Sequence, residues 1–223
     1  MEKMSTQRKL FVFLAAVPFF GAVLAPAAAP AQDRVVVIPL FETAGPPAPV
    51  AKTGQTTSYE PRDDGDLEKG VAAPTPRFTD NGNGTVTDRL TGLVWLKEGN
   101  CKIFYTGDNT ATGNPRPWAQ AVQSANLLAT GSCGLNDGSR AGDWRLPNRK
   151  ELDTLIDLGQ SNPALPLVCP LRNSALGIFY WSSTTVADST INPSAWAVDF
   201  FHGLNYFEVK TTNYYVRPVR GGQ

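Results

Sequence analysis

The residues of this chain best suited to chemistry are cations and aromatics near its C-terminal end. Lys210, Arg217 and Arg220 follow one another closely, and Tyr206 and Tyr214 border turns beside them. Guanidinium groups bind sulfate and carboxylate bidentately. A tyrosine face offers the apolar face of a sugar a stacking platform. These types point to non-covalent recognition of a polysaccharide, sulfated or acidic, rather than to bond making. The same arginines suit an internal salt bridge to Asp199 or Glu208, and the sequence leaves both readings open. A lone Lys210 would be only a solvated charge. His202 is the single histidine, so a Ser-His-Asp triad or a histidine-rich metal site would rest on it alone. No catalytic residue is assigned.

Two other strings suggest chemistry. Asp63, Asp64 and Asp66 in an Asp-Asp-Gly-Asp run, and Asp80 to Gly84, supply oxygens of the kind calcium takes. Neither has the EF-hand spacing with its distal glutamate. Asp80 to Gly84 reads first as a hairpin turn, and calcium at Asp63 to Asp66 is the weaker alternative to no cofactor at all. The three cysteines, Cys101, Cys133 and Cys169, do not have zinc-site spacing. In an oxidising compartment they imply one disulfide and one leftover thiol, with three pairings open. Cys101–Cys133 is favoured because the two flank the first predicted helix, while Cys169 sits in a proline-rich loop.

Charge and targeting narrow the class. The chain has 20 basic and 20 acidic residues, and from Arg77 onward 13 basic against 12 acidic. That balance argues against nucleic-acid binding, which shows a basic excess. Lys3, Arg8 and Lys9 precede an uncharged apolar run, Leu10 to Leu24, and small residues end at Ala29-Pro30-Ala31. This predicts a signal peptide over residues 1–31, cut before Gln32. The run is shorter than the roughly 20 residues of a spanning helix. The mature chain is then exported (periplasmic, cell-surface or secreted), with no integral membrane segment. Residues 32–51 read as a proline-rich linker. Inside it, Val35 to Phe41 contains a β-prone stretch expected to pair with the domain or with a second copy, so a homo-oligomer is one outcome.

The positioning elements follow from periodicity. Residues 52–76 form a polar lead-in and residues 77–223 the packed domain, which holds all five tryptophans. Thr85 to Thr87 and Leu93 to Leu96 read as strands around Gly92. Pro117 opens a helix with an apolar face from Trp118 to Leu128. Asn148 and Glu151 make a capping-box pair for a second helix, with Leu152, Leu155 and Ile156 as its buried stripe and Gly159 as its stop. Tyr180 to Ser183, Ala195 to Phe201, Tyr206 to Lys210 and Tyr214 to Val219 read as strands. Trp181 and Trp196 could serve as glycan-stacking platforms, but their places in alternating strands favour the core. The predicted fold is α+β, two helices packed on a small twisted antiparallel sheet.

Several strings go beyond composition. Arg77-Phe78-Thr79-Asp80-Asn81-Gly82-Asn83-Gly84-Thr85-Val86-Thr87-Asp88 is followed by Thr91-Gly92-Leu93-Val94-Trp95. Then come Asp143-Trp144-Arg145-Leu146-Pro147-Asn148, Tyr180-Trp181-Ser182-Ser183-Thr184 and Tyr215-Val216-Arg217-Pro218-Val219-Arg220. In this order they resemble the Lcl C-terminal domain family, a bacterial domain named after the tail of a collagen-like adhesin. Trp-Arg-Leu-Pro and Trp-Ser-Ser are also similar, more distantly, to formylglycine-generating-enzyme and C-type-lectin-like domains. The resemblance implies a C-type-lectin-like arrangement and an adhesion or binding role toward polysaccharide, glycosaminoglycan or a surface protein. No collagen-like repeat is present, so collagen-driven trimerisation is not implied. Two rival functions remain: a formylglycine-generating-type enzyme, which needs two reactive cysteines close together, and a structural cell-envelope protein.

Overall fold

The structure is a computed structural model that describes residues 50–108, 114–172, 179–187 and 193–221. The signal peptide and Val35 to Phe41 lie outside the described residues. The described part is α+β, with two small antiparallel sheets where the sequence predicts one. The first sheet joins β1 (Phe78–Asp80), β2 (Thr85–Asp88), β3 (Val94–Leu96) and β7 (Val219–Arg220) in that order. The second joins β4 (Phe179–Thr185), β5 (Ser194–Asp199) and β6 (Leu204–Val209). The helices are α1 (Asp64–Leu67), α2 (Trp118–Leu127) and α3 (Arg149–Asp153).

Asp80 to Gly84 makes the β1–β2 hairpin, as read. The Asn81 N–H donates to Thr85 O at 3.1 Å, and the Asn81 amide reaches the Thr85 hydroxyl at 2.7 Å. Gly84 has φ +86°, and a Cβ there would lie 2.3 Å from Gly134 O, so the position excludes a side chain on two counts.

Strand alternation sends neighbouring side chains of the second sheet into two cores. Trp181, Ala195 and Ala197 join Leu96, Phe104 and Trp144 in one cluster. Tyr180, Val198 and Phe200 join Val86, Trp95 and Leu152 in the other. Each large side chain fully buried in this way contributes about 1.5–3 kcal/mol.

Two expected elements and the burial of one tryptophan come out differently. The Asn148–Glu151 capping box is present, yet α3 ends at Asp153 rather than near Gly159. Leu155 N–H bonds Leu152 O and Ile156 N–H bonds Asp153 O, both at 3.0 Å, so the last turn tightens to i+3 pairing and unwinds. Leu155 is still buried. The strand expected over Tyr214 to Val219 shrinks to single bridges at Tyr214 and Tyr215 and the short β7. Pro218 has no N–H to give a ladder. The Asn114 side chain also takes the place of a strand partner, accepting from Val216 N–H at 2.7 Å and donating to Val216 O at 3.1 Å. Trp196 is only partly buried, because its partner in the register is Phe207, itself 60% exposed and part of neither core.

Candidate functional site

Two of the predicted ligand-binding residues meet at one aromatic shelf, and a third lies beside it. Tyr206 on β6 meets the Phe179 ring edge-on at 5.2 Å, and Tyr214 stacks on that ring at 4.9 Å. Tyr214 also leans on the buried Trp181 at 4.8 Å, which ties the shelf to the core. The adjacent backbone is fixed by reciprocal bonds between Arg116 and Tyr214, 3.0 and 3.2 Å. Lys210 directly follows β6, the strand that carries Tyr206, and its ammonium lies 4.2 Å from the Trp118 ring centroid. Trp118 opens α2, donating its N–H to Lys210 O at 2.9 Å and its indole N–H to Ser182 O at 2.8 Å.

Tyr206 is the shelf's open member, 42% exposed, while Tyr214, Phe179, Trp118 and Lys210 are half-buried. Burial, and after it the Glu208 charge, hold the Tyr214 hydroxyl above its ordinary pKa. It therefore stays protonated at neutral pH, able to donate and accept. The shelf can stack a flat apolar surface and offer one cation and one phenol at its rim. Glu208 brings a negative charge near Tyr214 at the same shelf.

The two arginines stand elsewhere. Arg217 is wholly buried, and its guanidinium donates to Leu96 O, Lys97 O and Arg172 O at 3.1–3.2 Å. It fastens the C-terminal segment to β3 and the 172 loop, because a buried guanidinium must spend its donors on acceptors. The alternative of a salt bridge to Asp199 or Glu208 is not what it forms: Asp199 accepts from the Phe201 N–H at 2.7 Å and pairs with His202 Nδ1. Arg220 pairs with Asp137 at 3.2 Å and covers the Trp144 ring at 5.1 Å. Sequence spacing grouped the five residues, but Pro218 and the Asn114 bridge turn the chain inward between Tyr214 and Arg220.

Sequence reasoning missed Phe179 and Trp118 as shelf members. Trp118 was legible only as the first residue of an apolar helix face. It also missed a cation–aromatic pair, Arg149 at 4.5 Å from the Trp196 centroid, with Phe207 edge-on to that indole at 5.7 Å.

The acidic string at residues 63–66 is a helix start. Asp63 caps α1 by accepting from Asp66 N–H at 2.8 Å and also accepts from Tyr59 N–H at 2.7 Å. These backbone donors hold its carboxyl below the usual aspartate range. Asp64 accepts from the Thr53 hydroxyl, and Asp66 from Arg62 N–H at 2.8 Å. Each carboxylate thus has its own donor. Among the described residues no group of three or more His, Cys, Asp or Glu side chains converges as a metal site.

Arg145 meets Glu151 through two 2.7 Å bonds and Gly221 O at 2.9 Å, so Trp-Arg-Leu-Pro is a structural tie. Trp144 and Leu146 are buried around it. Burial alone would raise the Glu151 pKa, but the Arg145 and Asn148 hydrogen bonds with the Arg145 charge bring it below its usual value. Cys101 and Cys133 form the disulfide, with Cα atoms 5.4 Å apart. Cys169 is a free thiol whose pKa burial pushes up.

A search among curated proteins finds no match. The Lcl C-terminal domain matches residues 84–220, a span holding both sheets' inner strands, α2, α3, the disulfide and the shelf. That is well over half of the chain, which therefore belongs to the Lcl C-terminal domain family.

Proposed function

We propose that the chain is a non-enzymatic, extracytoplasmic binding or adhesion module whose ligand is a polysaccharide stacked on the Tyr206–Phe179–Tyr214 shelf. The observation that carries this reading is an exposed tyrosine backed by two ordered rings, with Lys210 beside it. Preordered aromatics lose little freedom on binding. With one cation and Glu208 at the shelf, neutral or weakly acidic sugars suit it better than densely sulfated ones. Export accords with the disulfide and with the fact that no helix among the described residues is long and apolar enough to cross a membrane. A C-type-lectin-like arrangement, with loops presenting ligand contacts on a helix-and-sheet frame, is part of the same proposal. The formylglycine-generating alternative needs two reactive cysteines. Here two are joined to each other, and burial disfavours the Cys169 thiolate.

The test is a glycan array with the purified protein at low and high salt, repeated with Tyr206→Ala and Lys210→Ala. Each substitution is expected to weaken binding about 3–10-fold, about 0.7–1.4 kcal/mol. Only the lysine contribution should fade with salt. Absence of glycan binding, or binding indifferent to both substitutions, overturns the proposal.

A further inference from the structure

The other side of β6 is an edge that nothing among the described residues covers. Leu204, Tyr206, Phe207 and Val209 are 47, 42, 60 and 36% exposed, four apolar side chains on a six-residue strand. Lys210 N–H donates to Pro193 O at 3.0 Å, which fixes the phase of the β5–β6 ladder. Antiparallel residues alternate between bonding inward and outward. Leu204, Tyr206 and Glu208 therefore bond β5, and the peptide groups of Asn205 and Phe207 face out. The strand has no proline, no internal lysine and no bulge in its register with β5, and Glu208 is its one charged residue.

A cleft of about 380 Å³ lies at the beginning of this strand, where Gly203 and Asn205 form part of its wall. Val50, Leu90, Ile156 and Leu158 give it an apolar side, and Lys52, Arg77 and Lys150 a basic one. Lys52 is matched by Glu68 at 3.0 Å and Arg77 by Asp88 at 2.9 Å. Lys150 is exposed and forms no ion pair among the described residues. The one acid in the wall, Asp153, lies 3.8 Å from Arg149. The cleft thus holds one unmatched positive charge beside an apolar floor.

We propose that β6 and this cleft together dock the C-terminal tail of a partner protein by strand addition. The tail runs antiparallel to β6, so its last residue arrives at Gly203 and Asn205. Its terminal carboxylate meets Lys150, and its last side chain, an apolar one, fills the cleft. Main-chain bonds to Asn205 and Phe207 supply the pairing, and the end group supplies direction and specificity. An extended peptide fits better than a sugar here because the outward groups are backbone donors and acceptors spaced for a strand, and Lys150 suits its terminal carboxylate.

The probe is the acetylated pentapeptide Val-Thr-Val-Thr-Val with a free carboxylate, titrated into the whole protein by calorimetry. Three companions are the C-terminal amide and two peptides N-methylated on alternate amides. The free acid is expected to bind at least tenfold tighter than the amide, and Lys150→Glu to abolish that difference. One N-methylated phase should lose binding and the other keep it, because only one set of amides faces the strand. Phe207→Pro should remove binding while leaving β6 paired with β5, since its N–H points away from the ladder. If that variant fails to fold, the N-methyl pair on the wild-type protein decides the same question. Equal binding of acid and amide, equal binding of both N-methyl phases, or no saturable binding by about 1 mM each overturns the proposal. So does protection of the Asn205 and Phe207 amides by a glycan and not by the peptide. Lys150→Glu lies off the aromatic shelf, so loss of peptide binding with glycan binding intact separates this proposal from the polysaccharide reading.

Discussion

At the scale of residues, the chain uses its cations structurally more often than its sequence advertises. Arg217 holds three carbonyls, Arg220 covers Trp144 and pairs with Asp137, and Arg145 forms a two-bond fork with Glu151. The Arg145–Glu151 pair has a consequence for acid stability. The Glu151 carboxyl is held below its unfolded value, so its contribution is present above that value, about 4.3, and is lost as pH falls through the lower folded one. Glu151→Gln should therefore lower the neutral-pH melting temperature and narrow the gap between pH 7 and pH 3. Calorimetric melts of both proteins across that window check this, and equal pH slopes would show the pair to be inert. Arg145→Lys should rescue poorly, because a lysine cannot reproduce the fork.

At the scale of elements, local chemistry was legible wherever one residue dictates one conformation. The Asn-Gly turns gave the β1–β2 hairpin, Asn148 and Glu151 gave the start of α3, and the apolar spacing after Pro117 gave α2. The failures share a cause, since each depends on a distant partner. Asn114 occupies Val216 across a separation of 102 residues, and no period in the sequence announces it. Trp196 alternates correctly for a buried strand, but what lies opposite is Phe207 on an open edge. The shelf was half legible for the same reason: Tyr206 and Tyr214 flagged themselves beside turns, whereas Phe179 and Trp118 join only through the β4–β5–β6 order and the Trp118–Lys210 bond. Gly84 shows how narrowly the hairpin is specified. An alanine there would combine positive φ with a Cβ 2.3 Å from Gly134 O. Gly84→Ala should lower stability by about 1–3 kcal/mol, whereas Gly82→Ala, with open space around its Cβ position, should cost less. Paired denaturation curves decide, and equal losses would mean the Gly134 segment simply moves aside.

At the scale of the whole molecule, the fold relies on a covalent tie between two segments that flank α2. Cys101 and Cys133 are 32 residues apart in sequence and enclose α2. Both join the cluster formed by Leu96, Phe104 and Trp144, so the bridge fixes α2 against the core that also supports Trp181 and Tyr214. Closing a loop of this length is worth about 3–4 kcal/mol, a sizeable part of the about 5–15 kcal/mol that holds a domain together. For a chain of this size that corresponds to a fall of roughly 6–16 °C in melting temperature. Cys101→Ser with Cys133→Ser should show that fall, and wild-type protein melted with reductant should match it. Alkylation followed by peptide mapping gives the complementary readout. The native oxidised protein should label slowly, because the Cys169 thiolate is disfavoured by burial, and after unfolding without reductant it should label at Cys169 alone. The shelf adds a functional consequence, since Trp118 opens the helix that the bridge secures. Loss of the bridge should therefore weaken glycan binding at temperatures where the fold survives, while peptide docking at β6 and Lys150, outside the bridged loop, should be less affected. Equal weakening at both surfaces would mean that the disulfide acts only through global stability.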